Sequence, residues 1–178
     1  MSLSGIKSII LVTAHRHENF GRPLESICLA LKEIARRYAD SVHIVYPVHL
    51  NPNAQDPGRK ALRGIASITL LDPLGYRTLV HLMKRSRLIP TGSGGLQEEA
   101  PSLGVPVLVL RQVTERPEAV VAGTVRVVGV ETDAIVAVTV RLLEDQAACQ
   151  AMARAVNPYG DGKASERIVR ILLEQSHV

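Results

Sequence analysis

Apolar, strand-like runs alternate with amphipathic, helix-like runs along almost the whole chain. The first run, residues 8–13, is apolar rather than alternating, which is typical of parallel strands covered on both faces. The next segment has apolar residues at helical spacing, at Leu24, Ile27, Cys28, Leu31 and Ile34. This alternation predicts an α/β fold, a Rossmann-like doubly wound parallel sheet of about six strands with helical crossovers.

The other predicted strands are residues 42–46, 68–71, 87–90, 105–110 and 125–128. The other predicted helices are residues 57–65, 76–85, 133–143, 145–155 and 164–175, with short helices after residue 93 and near 115–121. A length of 178 residues suits one such domain, which we assign to residues 7–178. Residues 1–6 resemble an expression leader more than a secretory signal.

Composition narrows the class of ligand. Only 3% of the residues are aromatic and none is Trp, which argues against base-stacking surfaces for nucleic acid. The net charge of +4 comes from scattered basic residues and suits a small anionic ligand such as a nucleotide. Cys28 and Cys149 form no CxxC pattern, and no apolar run approaches membrane-spanning length. These features predict a cytoplasmic protein without a membrane or nucleic-acid partner.

The turn Ser93-Gly94-Gly95 lies between a predicted strand and a predicted helix. Glycines let the backbone approach a phosphate, and the first free N–H groups of the helix point toward it. The turn therefore predicts a phosphate site. An ordinary strand-to-helix turn with solvated acidic residues is the alternative interpretation.

Glu98 and Glu99 lie about one turn into that helix. A phosphate would repel their carboxylates, so they more plausibly bind a neutral group such as a ribose diol. Arg116 follows the fifth predicted strand. It could pair with Glu98 or Glu99, or reach a diphosphate with its guanidinium; a salt bridge at the rim is the alternative.

Histidines follow the first two strands, at the edge where doubly wound sheets bind ligands. His15 has Arg16 and His17 beside it, and His49 follows the second strand. Histidine can donate to a phosphate, although a lone histidine is more often structural. We find no metal-ligand spacing, no Gly-x-Ser-x-Gly elbow and no Gly-x-Gly-x-x-Gly after the first strand. The sequence thus predicts no metal and no cofactor.

Five motifs stand in order along the chain: Thr-Ala-His-Arg-x-Glu-Asn-Phe-Gly at 13–21, Val-Tyr-Pro-Val-His-Leu-Asn-Pro at 45–52, Ser-Gly-Gly-Leu-Gln-Glu-Glu-Ala-Pro-Ser-Leu-Gly at 93–104, Thr-Glu-Arg-Pro-Glu at 114–118 and Asn-Pro-Tyr-Gly-Asp-Gly at 157–162. By itself the last motif indicates a hinge before the final helix. Together the five closely resemble the C-terminal half of the bacterial non-hydrolysing UDP-N-acetylglucosamine 2-epimerases. The resemblance extends over nearly the whole chain from Lys7.

The resemblance implies one half of a two-domain GT-B-type fold, with the active site in the cleft between the domains. The family interconverts UDP-N-acetylglucosamine and UDP-N-acetylmannosamine: UDP is eliminated to leave 2-acetamidoglucal and then added back with opposite configuration at C2. The C-terminal half mainly holds UDP. The N-terminal domain, which this chain lacks, is expected to carry the acidic residues that move the C2 proton.

The resemblance also implies a UDP site made of His15, Leu74, Leu79, Ser93, Gly94, Gly95, Glu99 and Arg116. Within it, the small-residue turn cradles the diphosphate, His15 lies near the phosphates with a possible part in the chemistry, and Glu99 binds the ribose hydroxyls. Arg116 contacts the nucleotide, and the two leucines fall in the segment bordering the uracil. A second, activating UDP-N-acetylglucosamine site is implied at Arg16, His17 and His49.

Two residues depart from the family pattern. Gly92 replaces an aspartate that could brace the phosphate turn, and His17 replaces a second arginine at the activating site. With one domain only, we expect weak UDP binding, no epimerisation, and an apolar stripe on the final helix left for a missing domain or a second copy. The alternatives are a stand-alone UDP-sugar-binding or regulatory module, or half of a related glycosyltransferase.

Overall fold

A computed structural model describes residues 7–14, 19–48 and 60–175 of the protein. The strands in these ranges are β1 (Ser8–Leu11), β2 (Val42–Pro47), β3 (Ile68–Leu71), β4 (Ser86–Thr91), β5 (Val107–Val109) and β6 (Val125–Val127). The helices are α1 (Arg22–Arg37), α2 (Tyr76–Arg85), α3 (Gly94–Ser102), α4 (Pro117–Ala122), α5 (Thr132–Glu144), α6 (Gln146–Arg154) and α7 (Ala164–Gln175). Strands and helices alternate as predicted.

The strands form one parallel sheet in the order β3-β2-β1-β4-β5-β6. The order reverses between β1 and β4, which makes the carboxyl ends of these two strands the topological switch point. A bridge between Thr13 and Thr91 extends their pairing beyond the end of β1. The predicted doubly wound sheet of six strands is confirmed.

Both faces of the sheet are buried. Along β1, Ile10 packs in one core with Leu24, Ile27 and other residues of α1, whereas Leu11 packs in the opposite core with residues such as Met83. Ile10 and Leu11 are both fully buried. Continuous rather than alternating apolar sequence is what such a strand requires.

Most predicted boundaries lie within two residues of the observed ones. The strand predicted at 105–110 is shorter, because Val105 donates its N–H to the Ala100 carbonyl at the end of α3 (3.1 Å) instead of joining the sheet. The first residues of the helix predicted at 57–65 lie outside the described residues. Within the described residues, 60–62 are helical. Among the described residues, no helix is both long enough and apolar enough to cross a membrane.

Helix α7 stands apart from both cores. None of its residues is buried, and the predicted stripe of Ile168, Ile171 and Leu172 is 52–58% exposed. Its start is fixed by Asp161, whose carboxylate accepts two hydrogen bonds from Arg167 (2.9 and 2.7 Å) and one from the Lys163 N–H (3.1 Å). These bonds lower the pKa of Asp161, with the Arg167 bonds as the largest cause.

Candidate functional site

The small-residue turn lies beside the switch point, between β4 and α3. Ser93 precedes the first helical residue, Gly94, and makes no side-chain capping bond within the described part of the chain. A methyl group added to Gly94 would meet no described atom within 4 Å. The described residues therefore leave room beside Gly94 at the start of the helix, where unpaired amides favour an anion.

Two threonine hydroxyls brace the turn from behind. Thr13 Oγ1 and Thr91 Oγ1 lie 2.5 Å apart, and Thr91 Oγ1 accepts the Ser93 N–H at 2.9 Å. The Gly92 N–H donates to the Thr13 carbonyl at 2.9 Å. The turn is thus tied to both central strands although Gly92 carries no side chain.

A buried glutamine links the turn to the loop after β5. Gln97 is fully buried; its amide donates to the Ser93 carbonyl (3.2 Å) and accepts from the Thr114 hydroxyl (2.5 Å). Thr114 Oγ1 in turn accepts the Arg116 N–H at 3.1 Å. Sequence reasoning did not assign Gln97 or Thr114. The available signal was a polar residue on the face of α3 whose other members, Leu96 and Ala100, are buried.

Arg116 forms an ion pair with Glu98 through its Nε atom, and both side chains are half-buried. Glu98 raises the pKa of Arg116 through this hydrogen bond. The sequence left open whether Glu98 or Glu99 is the partner of Arg116; the structure selects Glu98.

Glu99 lies on the other side of the turn. A methyl group added to Gly95 would lie 3.8 Å from Glu99 Oε1 and 3.9 Å from Ser93 Oγ. A hydrogen bond with Glu99 raises the pKa of Tyr76, at the start of α2. Leu79 on the same helix packs against the core that contains Leu11 and Met83, and Leu74 is half-buried. The segment predicted to border the uracil therefore adjoins the residue predicted to bind the ribose.

The turn at 157–162 connects α6 to α7, as predicted, but it is also anchored to the site. Asn157 Nδ2 donates to Ser102 Oγ at 2.6 Å, and Tyr159 packs against the core that contains Leu11 and Met83. Burial raises the pKa of Tyr159 to about 12, with the charge of Glu118 adding to the rise and Arg116 opposing it. Tyr159 is a neighbour of Arg116 that the sequence analysis did not assign.

A further unassigned residue, Arg111, lies two residues after β5. It is 6% exposed and pairs with Glu115 at 2.9 Å. It lines a cavity of about 480 Å³ together with Asn19, Pro23, Gln112, Val113, Val130 and Glu131. Asn19 donates to the Leu110 carbonyl at 3.2 Å, so the chain that follows β1 meets the end of β5 there. The signal was a basic residue immediately after an apolar strand at the ligand edge.

The remaining predicted residues, His15, Arg16, His17 and His49, lie outside the described residues, and their roles stay predictions. Of the predicted UDP site, the structure brings together Ser93, Gly94, Gly95 and Glu99 along one helix end, with Arg116 alongside. Within 7–14, 19–48 and 60–175, no three His, Cys, Asp or Glu residues are grouped to hold a metal ion.

Several proteins similar to this chain are named UDP-N-acetylglucosamine 2-epimerases. An Escherichia coli UDP-N-acetylglucosamine 2-epimerase is 55% identical over 166 residues, covering 93% of this chain and 44% of its own length. The Neisseria meningitidis UDP-N-acetylglucosamine 2-epimerase bound to its nucleotide sugar is 47% identical with a TM-score of 0.90, covering 94% of this chain and 45% of that one. Staphylococcus aureus MnaA, solved with UDP, is 45% identical with a TM-score of 0.89, covering 93% of this chain and 45% of that one.

This chain therefore spans less than half the length of these relatives. Its fold is that of one Rossmann-like half of theirs, as the resemblance implied. The family model described as UDP-N-acetylglucosamine 2-epimerase matches residues 3–173. The chain belongs to the UDP-N-acetylglucosamine 2-epimerase family.

Proposed function

We propose that this chain is the UDP-binding half of an enzyme that interconverts UDP-N-acetylglucosamine and UDP-N-acetylmannosamine by eliminating and re-adding UDP. The observation that carries the proposal is the open turn Ser93-Gly94-Gly95 at the switch point, with Glu99 and Arg116 beside it. The Neisseria meningitidis relative bound to UDP-N-acetylglucosamine supports the choice of ligand.

In this proposal the amides at the start of α3 bind the diphosphate, since unpaired N–H groups and the helix dipole both favour negative charge. Glu99 accepts hydrogen bonds from the ribose hydroxyls, and Leu74 and Leu79 border the uracil. Arg116 contributes positive charge near the phosphates while its Nε stays paired with Glu98. His15 lies near the phosphates, and Arg16, His17 and His49 form the activating site; these four lie outside the described residues.

Inverting C2 requires a base on one face of the sugar and an acid on the other. Around the turn, Glu98 is paired with Arg116, and Glu99 is assigned to the ribose. We propose that the residues that move the C2 proton belong to the other half of the family fold. Residues 7–178, as one half of the cleft, then bind UDP weakly and do not epimerise UDP-N-acetylglucosamine, because the sugar stays in water.

The exposed stripe of α7 suits an apolar partner, and we propose that it packs against the other domain of the family fold or a second copy in a homodimer. We place the protein in the cytoplasm, supplying UDP-N-acetylmannosamine for cell-envelope polysaccharides. The reaction needs no metal or other cofactor in this proposal.

A stand-alone UDP-sugar-binding module is the second candidate, since the turn Ser93-Gly94-Gly95, Glu99 and Arg116 can be assigned to nucleotide binding without any catalytic step. Deuterium exchange at C2 of UDP-N-acetylglucosamine, followed by NMR, separates the two candidates when residues 7–178 are combined with the other half of the family fold. Exchange restored by the N-terminal half of a relative supports the epimerase. Continued inactivity in a complex that has formed supports the binding module.

Calorimetric titration with UDP tests the nucleotide site itself. Glu99→Gln should weaken UDP binding by about tenfold or more, since a hydrogen bond to a charged group contributes ~1.5–3 kcal/mol. The matched control is Glu174→Gln on the exposed surface of α7, which should leave the affinity unchanged. Equal UDP affinities for the wild-type and Glu99→Gln chains would overturn the ribose assignment, and no UDP binding by the wild-type chain would overturn the site.

A further inference from the structure

The side-chain amide of Gln97 contacts both the turn Ser93-Gly94-Gly95 and the loop that carries Arg116. No other hydrogen bond identified among the described residues links these two segments through one side chain. Gln97 lies on α3, four residues after Ser93, and 17 residues separate it from Thr114 in the chain. The Ser93 carbonyl can only accept a hydrogen bond, so the amide NH₂ must face the turn. The amide oxygen then faces the Thr114 hydroxyl.

The orientation of the Gln97 amide also sets the direction of the hydrogen bonds made by Thr114. The Thr114 hydroxyl donates to Gln97 Oε1 at 2.5 Å, and its oxygen accepts the Arg116 N–H at 3.1 Å. These hydrogen bonds form a chain from the Ser93 backbone to the Arg116 backbone. The Gln97 amide in the middle of the chain is fully buried. Each bond also fixes the direction of the next.

Burial makes the arrangement all-or-none. A buried amide that loses one partner cannot replace it with water, so the loss is larger than for an exposed hydrogen bond. If the loop carrying Arg116 moves, Gln97 loses its donor; if the turn moves, Gln97 loses its acceptor. The two segments therefore favour each other's present positions.

We propose that Gln97 and Thr114 are positioning residues that couple the phosphate turn to Arg116, so that a diphosphate meets the amides of the turn and the guanidinium as one preformed unit. Neither residue needs to touch the ligand. The role in ligand binding rests on the proposed function, whereas the coupling between the two segments does not.

A double-mutant cycle measures the coupling through UDP affinity. Thr114→Val keeps the shape of the side chain but removes both hydrogen bonds, and should weaken UDP binding by about tenfold. In an Arg116→Ala background the same change should cost less than about twofold, because there is no guanidinium left to position. Thr114→Ser should restore the wild-type affinity. Full additivity of the two single effects would overturn the proposal.

Hydrogen exchange in the ligand-free chain tests the same coupling independently of UDP. Thr114→Val should increase amide exchange both in its own loop and at residues 93–97, and Thr114→Ala provides a second variant if the first does not fold. The control is Thr139→Val on α5, a fully buried threonine whose hydroxyl has no hydrogen-bond partner among the described residues. Unchanged exchange at 93–97 would overturn the coupling, and a wild-type chain that shows coupling but no UDP binding would overturn the proposed function alone.

Discussion

Thr13 and Thr91 share a short hydrogen bond, 2.5 Å between their hydroxyl oxygens, at the ends of the two central strands. Both side chains are buried, and Thr91 also accepts the Ser93 N–H. The pair joins β1, β4 and the turn Ser93-Gly94-Gly95 at the point where the order of the sheet reverses. Its position suggests that core stability and ligand binding depend on the same two hydroxyls.

Thr91→Val should therefore lower both the free energy of unfolding and the affinity for UDP. The change leaves Thr13 and the Ser93 amide without a partner, and a lost partner of this kind costs about 1–3 kcal/mol of unfolding free energy. UDP affinity should fall as well, because Ser93 is released. Urea unfolding and calorimetric UDP titration measure the two effects.

Thr124→Val is the control, since the Thr124 hydroxyl makes one buried hydrogen bond, to the Ala119 carbonyl (3.2 Å), away from the turn. It should reduce stability but leave UDP affinity unchanged. If Thr91→Val behaved in the same way, the hydroxyl pair would be part of the core only.

Glu98→Gln should strengthen UDP binding. The substitution keeps a hydrogen-bond acceptor for Arg116 but removes a negative charge near the diphosphate site. We expect a gain of about two- to fivefold at low ionic strength that shrinks as salt screens the charges. UDP titrations at two salt concentrations check this. A loss of affinity in Glu98→Gln would mean that the ionised carboxylate is needed to hold Arg116 in place.

Tyr159 should make stability fall at alkaline pH. Its pKa is about 12 in the folded chain against an ordinary value of 10.0, so the unfolded chain releases this proton first as the pH rises. The stabilising contribution is complete below pH 10 and is lost between pH 10 and about 12. Tyr159→Phe should flatten this part of the stability profile measured by urea unfolding. An equally steep decline in the variant would assign it to other groups, such as Tyr46, whose pKa burial also raises.

The exposed stripe of α7 should cause association. Ile168 and Ile171 are more than half exposed, and apolar patches of this kind drive contact between molecules. Light scattering should show the apparent mass of the wild-type chain increasing with concentration, and Ile171→Asp should remove the increase. Glu174→Gln on the same helix is the control. A wild-type chain that stays monomeric at every concentration would contradict this prediction.

The sequence predicts the layout better than the local pairings. The strand Ile68–Leu71 and the helix Tyr76–Arg85 were predicted to the residue, because apolar spacing and flanking polar residues mark their ends. Glu98 and Glu99 are adjacent on α3 and point in different directions, so the partner of Arg116 depends on how its loop approaches the helix. That approach has no periodicity in sequence.

Gln97 illustrates the same limit. Its position on the buried face of α3 is visible in the spacing of apolar residues, but its role depends on Thr114, which is remote in the chain. A polar residue at a core position indicates that a partner exists without indicating which one. Tyr159 was missed for the same reason, since it becomes a neighbour of Arg116 only when distant segments fold together.

The carboxylate of Asp161 has a consequence for how α7 meets a partner. Because Asp161 accepts from Arg167 and from the Lys163 amide, the first turn of the helix is held by the residues just before it rather than by packing. A segment that is already helical loses little backbone entropy when it docks. Association through α7 then resembles the docking of a rigid surface more than folding upon binding. Its rate should be set by diffusion and orientation, and Asp161→Ala should slow it even though Asp161 need not touch the partner.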